Sequence, residues 1–235
     1  MIGLIKNIAL FFFDIVDQYY HQKKIASFLK KKNLEINIFF DVGAHMGLYT
    51  DLVNKIYPNC KSFLFEPQST IFNKVKEKYS SNNNVQVFNK AISDTEKKQN
   101  LYLNMHDLTS TLSTFDEQSS YLNFKAKLYG TDIKNMSYGT ELVQTITLDK
   151  FMLEHNVDKI DLIKIDTEGH EFNVLKGLKN QIENVENILI EFHHRDLFLD
   201  YDPNKIHQHL IDNGFKLEKT FKFPFCWVDR LYTKG

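Results

Sequence analysis

From Ile38 onward, short apolar runs alternate with amphipathic stretches of helical period, and this rhythm restricts the chain to a parallel sheet covered by helices on both faces. A strand buried on both faces is a continuous apolar run, whereas a covering helix carries one apolar stripe. The pattern predicts strands at 37–42, 61–66, 85–90, 160–165, 187–192, 215–221 and 226–233. Helices are expected between them at about 47–57, 69–80, 168–182 and 204–213. With 235 residues, 43% of them hydrophobic, the chain can bury one large core.

Two regions depart from the rhythm. Residues 1–35 place Leu4, Ile5, Ile8, Phe11, Phe12, Ile15 and Val16, then Ile25, Phe28 and Leu29, at helical spacing. The expectation is a helical cover on a main domain at 36–235. Peripheral membrane contact is the alternative, through Lys6, Lys23, Lys24 and Lys30 to Lys32, although Asp14 and Asp17 would face the same anionic surface. The run Ile8 to Phe13 is too short to span a bilayer and is followed by no small-residue cleavage site. Between the third and fourth predicted strands lie about 70 residues holding Gln99 to Asn104, Ser110 to Ser113 and Val143 to Leu148. So long a stretch without structure is unusual, so a small insertion at about 96–148 is expected, built as β structure or a lid and contacting the acceptor.

Charge and cysteine content narrow the partners. Lys and Arg number 29 against 30 Asp and Glu, which leaves no basic footprint, so no nucleic-acid partner is expected. Cys60 and Cys226 form neither a disulfide framework nor a zinc site, which fits a reducing, cytoplasmic compartment.

The sequence Phe39-Phe40-Asp41-Val42-Gly43-Ala44-His45-Met46-Gly47 runs an apolar strand into a glycine turn and then a helix start. Glycines let the backbone approach a ligand, and the free N–H groups of the helix point the same way. The spacing lacks the third glycine of a dinucleotide fingerprint and the Gly-Lys-Ser/Thr of a phosphate loop. Glu66, in Phe63-Leu64-Phe65-Glu66-Pro67, stands 23 residues after Gly43, near the offset at which an acid bonds ribose hydroxyls. The third strand leads into Ala91-Ile92-Ser93-Asp94, which should edge the same crevice. A tight turn without a ligand would explain the first motif alone; the paired acid favours a nucleoside site.

Farther along, Ile160-Asp161-Leu162-Ile163-Lys164-Ile165-Asp166-Thr167-Glu168-Gly169-His170-Glu171 crowds ionisable groups at a buried strand end. Strand alternation points Lys164 and Asp166 the same way, and three-residue spacing puts Glu168 and Glu171 on one helix face. Such groups are expensive to bury unless paired. The next strand ends Glu191-Phe192-His193-His194-Arg195, and adjacent strands are close enough for Glu191 and His193 to reach Asp166 and Lys164.

Together these five motifs, with Thr147-Leu148-Asp149-Lys150-Phe151 as a sixth, resemble the FkbM family of S-adenosylmethionine-dependent methyltransferases in order over about residues 38–195. The resemblance implies an α/β, Rossmann-like class I methyltransferase fold: a seven-stranded, mostly parallel sheet of order 3-2-1-4-5-7-6 with helices on both faces. It also implies O-methylation of a small molecule or glycan, a sugar being the leading acceptor. Carried over, it puts the methionine part of the cofactor at Asp41, Gly43, Ala44, His45 and Gly47, its ribose at Glu66, and its adenine at Ala91, Ser93 and Asp94. His193 is then expected as the neutral base, with Asp166, Glu168 and Lys164 around the acceptor. Mg2+ held by Asp166, Glu191 and His193 is a second route. The competing classes are a nucleoside-cofactor oxidoreductase using NAD and a non-catalytic interaction module on the same scaffold.

Overall fold

The computed structural model describes residues 20–104, 110–128, 130–222 and 228–235. The expected helix over Leu4 to Val16, together with Cys226 and the first residues of the last predicted strand, lies outside the described residues.

Seven strands form the main sheet: β1 (Ile38–Val42), β2 (Lys61–Phe65), β3 (Val85–Phe88), β7 (Leu162–Ile165), β8 (Asn187–Phe192), β9 (Phe215–Lys222) and β10 (Val228–Lys234). Their spatial order is β3-β2-β1-β7-β8-β10-β9, with β10 antiparallel to both neighbours. Counted in chain order these seven run 3-2-1-4-5-7-6, the order that the family resemblance implied. The chain winds outward from β1 to β3 and resumes on the other side at β7, so β1 and β7 flank the switch point where open α/β sheets bind ligands.

The continuous apolar runs are explained by burial on two sides. Phe40, Val42, Phe63 and Phe65 pack one face against Phe151 and Met152 of α5 (Leu148–Glu154), Leu175 of α6 (Glu171–Lys176) and Ile206 and Leu210 of α7 (Pro203–Asp212). Phe39, Leu162, Leu189, Phe221 and Leu231 pack the other face against Ile25 and Leu29 of α1 (Gln22–Lys31) and Val53 of α2 (Leu48–Ile56). Phe151 meets Phe65 edge to face at 4.7 Å and Phe88 at 4.9 Å, contacts each worth about 0.5–1.5 kcal/mol beyond their buried area. On the same side as α2, α3 (Ser69–Lys78) buries Ile71 and Val75, the latter beside Leu64.

The insertion is a second, three-stranded sheet of order β4-β6-β5, from β4 (Ala91–Ile92), β5 (Lys98–Asn104) and β6 (Ser137–Ile146), with α4 (Ser120–Leu128) between β5 and β6. Several contacts fasten it to the rest of the fold, among them a bridge between Phe115 and Phe198. Glu141 of β6 accepts bonds from Ser69 N and Ser69 Oγ at the start of α3, and Thr111 Oγ1 donates to the Glu168 carbonyl.

The expected helix over 168–182 divides into α6 and a 3-10 turn at Lys179–Asn184. The cause is local. Glu168 and Gly169 adopt φ of 51° and 92°, so the helix begins only at Glu171, and Lys179 at φ 47° interrupts it after Lys176. Among the described residues no helix is long and apolar enough to cross a membrane.

Candidate active site

The ends of β1, β2 and β7 open into a cleft of about 580 Å3, including the part open to solvent. Gly43, at φ 79°, turns the chain out of β1, and a Cβ there would lie 1.8 Å from the Asp166 carbonyl oxygen. That spacing brings the β1 turn against the β7 end. Gly47, at φ 71°, then starts α2, where Tyr79 Oη donates to its carbonyl at 2.7 Å. His45 N donates to Glu66 Oε2 at 2.9 Å and Gln68 N to Oε1 at 2.8 Å, so the Glu66 carboxylate is held at the mouth of the turn. Burial pushes its carboxyl up to about 7, against the pull of those two N–H donors. Asp41 lies under the turn, fully buried and accepting from Thr50 Oγ1 at 2.7 Å, with its carboxyl pushed up by burial to about 6.

On the wall where the adenine was expected, Ala91 lines the cleft together with Lys90 and Ile92. Ser93 and Asp94 do not. Asp94 pairs with Lys176 Nζ at 2.7 Å on the surface, and Ser93 Oγ is 2.9 Å from His170 Nε2 behind the wall. Taking Asn173 Nδ2 as the donor to His170 Nδ1, at 3.0 Å, assigns the ring proton to Nε2 and the acceptor role to Ser93. Burial pushes the His170 imidazole down to about 4, so it is neutral at physiological pH.

The opposite wall is acidic. Lys164 Nζ, fully buried, lies 3.2 Å from Asp166 Oδ2 and 3.5 Å from Asp229 Oδ1, and Asp229 Oδ2 is 2.7 Å from His21 Nε2. Burial alone would strip the Lys164 proton, but Asp166, Asp229 and Glu191 outweigh it and hold the ammonium above its ordinary range. Glu191 is raised well above the carboxylate range, first by burial and then by its acidic neighbours Asp166 and Asp229.

His193 sits among three carboxylates. Its Nδ1 is 3.7 Å from both Glu168 Oε2 and Glu191 Oε1, and its Nε2 is 3.4 Å from Glu171 Oε1. Burial would lower the imidazole, yet Glu168 and Glu171 reverse the sign and lift it to about 9. The ring is therefore an imidazolium at neutral pH, which departs from the neutral base expected of it. Glu171 Oε1 also accepts from Thr167 N at 3.0 Å, Thr167 Oγ1 at 3.1 Å and Gly169 N at 3.0 Å. Glu168 and Glu171 thus reach His193 from a loop and a helix start rather than from one helix face.

Of the residues singled out in the sequence, Gly43, His45, Glu66, Ala91, Asp166 and Glu168 line the cleft itself. Asp41, Ala44 and Gly47 support the turn beneath it. Lys164, Glu191 and His193 form the layer against Asp166 and Glu168, and the facing atoms of Asp166, Glu191 and His193 lie within 4.8 Å of one another. Glu171 was paired with Glu168 in the sequence without a role of its own, and Thr111, His170, Asp229 and His21 were not singled out. His170 stood within a quoted motif, and Asp229 was legible as an acid in an apolar strand.

The whole architecture has close counterparts among known structures. Over 94% of this chain and 93% of theirs, it matches a SAM-dependent methyltransferase from Aquifex aeolicus at 13% identity and a TM-score of 0.50. An S-adenosylmethionine-dependent methyltransferase from Clostridium acetobutylicum matches over 97% of this chain and 99% of that one, at 9% identity and a TM-score of 0.51. In sequence, the hexuronic acid methyltransferase AglP of Haloferax volcanii is 23% identical over 172 residues, 73% of this chain but 62% of that protein. The 2-O-methyltransferase NoeI of Sinorhizobium fredii is 24% identical over 176 residues, 75% of this chain and 70% of that protein. Residues 41–217 match the methyltransferase FkbM domain, and they contain the glycine turn, Glu66 and the acidic wall around His193. The chain belongs to the FkbM methyltransferase family.

Proposed function

We propose that the chain transfers a methyl group from S-adenosylmethionine to a hydroxyl of a sugar, free or within a glycan, in the cytoplasm. The observation that carries this reading is the pairing, in one cleft, of Glu66 at the β2 end with the acidic wall at the β7 end. The two walls suit two different ligands. Glu66, already oriented by two N–H donors, has lone pairs left to accept from ribose hydroxyls, and Gly43 keeps the β1 turn free of side chain. Ala91 and Ile92 offer the flat apolar wall that an adenine needs.

The cofactor supplies a methyl group activated on a sulfonium, so the protein's task is to align an acceptor oxygen and remove its proton. Asp166, tied to Lys164, is placed to accept a hydrogen bond from the acceptor. The proton passes to the Glu168 carboxylate, whose negative charge His193 faces at 3.7 Å. The imidazolium therefore orients the base instead of acting as it. Mg2+ is the finer alternative: with His193 and Glu191 deprotonated, Asp166, Glu191 and His193 would hold it through two carboxylates and a ring nitrogen, and it would acidify the acceptor hydroxyl. AglP is named for a hexuronic acid, which fits a sugar acceptor, and NoeI for 2-O-methylation, which fits a hydroxyl. Because the acceptor wall here is lined with carboxylates, a neutral sugar fits it better than a uronate.

Calorimetric titration with S-adenosylhomocysteine, with and without Mg2+ and with NAD as control, tests the cofactor half. Micromolar binding of the homocysteine compound alone is expected, and Glu66→Ala should weaken it by about 1–3 kcal/mol. Transfer of labelled methyl to neutral glycosides then tests the acceptor half. NAD binding in place of S-adenosylhomocysteine would overturn the reading in favour of an oxidoreductase.

A further inference from the structure

We propose that Thr111, in the insertion, is the positioning residue for the Glu168 carboxylate, an inference that rests on the reading of Glu168 as the group that takes the acceptor proton. Glu168 is not a glycine, yet it stands at φ 51°, in the left-handed region. A side chain there is costly to the backbone and persists only where the surroundings over-determine it. The peptide between Glu168 and Gly169 is held from both sides. Its N–H, on Gly169, donates to Glu171 Oε1 at 3.0 Å, and its carbonyl, on Glu168, accepts from Thr111 Oγ1. Glu171 begins the helix that this turn leads into and moves with it. Thr111 stands 57 positions away in the sequence, so it ties the turn to a different part of the fold.

The Thr111 hydroxyl is committed to this bond. Ser113 N donates to Thr111 Oγ1 at 2.9 Å and occupies a lone pair, which leaves the single O–H for the Glu168 carbonyl. Thr111 is itself fixed: its N–H donates to the Tyr102 carbonyl at 3.1 Å, its carbonyl accepts from Tyr102 N at 2.8 Å, and it is 1% exposed. The same stretch of the insertion grips the next residue of the turn. Phe115 stacks on Phe198 at 5.2 Å, and a Cβ on Gly169 would lie 2.4 Å from Phe198 Cδ2. The insertion thus meets the turn by a hydrogen bond at Glu168 and, through Phe198, by apolar packing at Gly169. With the turn fixed, the Glu168 carboxylate stays on the cleft, 3.7 Å from His193 Nδ1. Without the Thr111 hydroxyl, the backbone relaxes toward its ordinary regions and carries the carboxylate off the reacting position, where a shift of about 1 Å is enough to cost a large factor in rate.

The test compares Thr111→Val, which keeps the shape and removes the hydroxyl, with Thr111→Ser, which keeps the hydroxyl. Hydrogen exchange of the full chain is followed by mass spectrometry on fragments covering 166–172 and, as a reference, 187–192. Thr111→Val should speed exchange of the first fragment about tenfold and leave the second unchanged, and Thr111→Ser should stay near the wild type. In methyl transfer to a neutral glycoside, Thr111→Val should lower kcat at least about tenfold while KM for S-adenosylmethionine stays within about twofold, and Thr111→Ser should restore most of the rate. Wild-type exchange in Thr111→Val overturns the proposal, and so does a Ser variant that behaves as the Val variant does. Equal loosening of both fragments also overturns it, because the effect is then general destabilisation. A loosened turn with unchanged kcat removes the positioning role. Glu168→Gln judges the base reading separately: if that variant transfers methyl groups as the wild type does, the reading fails, while the exchange comparison still decides whether Thr111 fixes the turn.

Discussion

At the scale of single residues, His193 carries the most consequential charge in the cleft. Its folded value of about 9 lies above the unfolded value of about 6.5, so the imidazolium stabilises the fold fully below pH 6.5 and loses that contribution as the pH rises through about 9. The shift corresponds to at most about 3 kcal/mol. His193→Gln should therefore melt lower than the wild type by roughly 5–10 °C near pH 6, and the gap should close toward about pH 10. Thermal melts of both proteins across that range check the sign. A gap that is constant with pH would mean that the ring acts through packing against Phe198 and Tyr201 instead.

Among the elements, the turn from β1 into α2 is the least tolerant of change. Gly43 combines a left-handed backbone with a carbonyl 1.8 Å from where a Cβ would sit, so the β1 and β7 ends must separate to admit even a methyl group. Gly43→Ala is expected to cost at least about 2 kcal/mol in equilibrium unfolding and to reduce S-adenosylhomocysteine affinity as well. Gly139, in β6, is the natural control, because nothing lies within 4 Å of its added Cβ; Gly139→Ala should stay within about 0.5 kcal/mol of the wild type. The β1 turn was legible in the sequence because its residues are contiguous. The late start of the helix after β7 was not, since Glu171 turns its carboxylate back onto Thr167 and Gly169 and the positive φ values precede it.

For the whole molecule, the buried run His21, Asp229, Lys164 and Asp166 joins the first described helix, the last strand and the cleft. Removing the central cation leaves two carboxylates facing each other without it, so Lys164→Met should destabilise the chain by about 3–5 kcal/mol. Adding Asp229→Leu should recover part of that loss, and a double-mutant cycle measures how much. The sequence by itself determined the strands and most of their covering helices, because periodicity and turn chemistry are local properties, and its resemblance to the FkbM family implied the order of the sheet. It also placed Glu66 and Asp166 at strand ends, where alternation along a single strand is enough. Tertiary structure alone decided that His21 meets Asp229, residues 208 positions apart, and that His193 is charged. Both outcomes arise from long-range convergence: a protonation state depends on the burial of the ring and on the summed field of Glu168, Glu171 and Asp166, which reach it from a loop, a helix start and the end of the neighbouring strand β7.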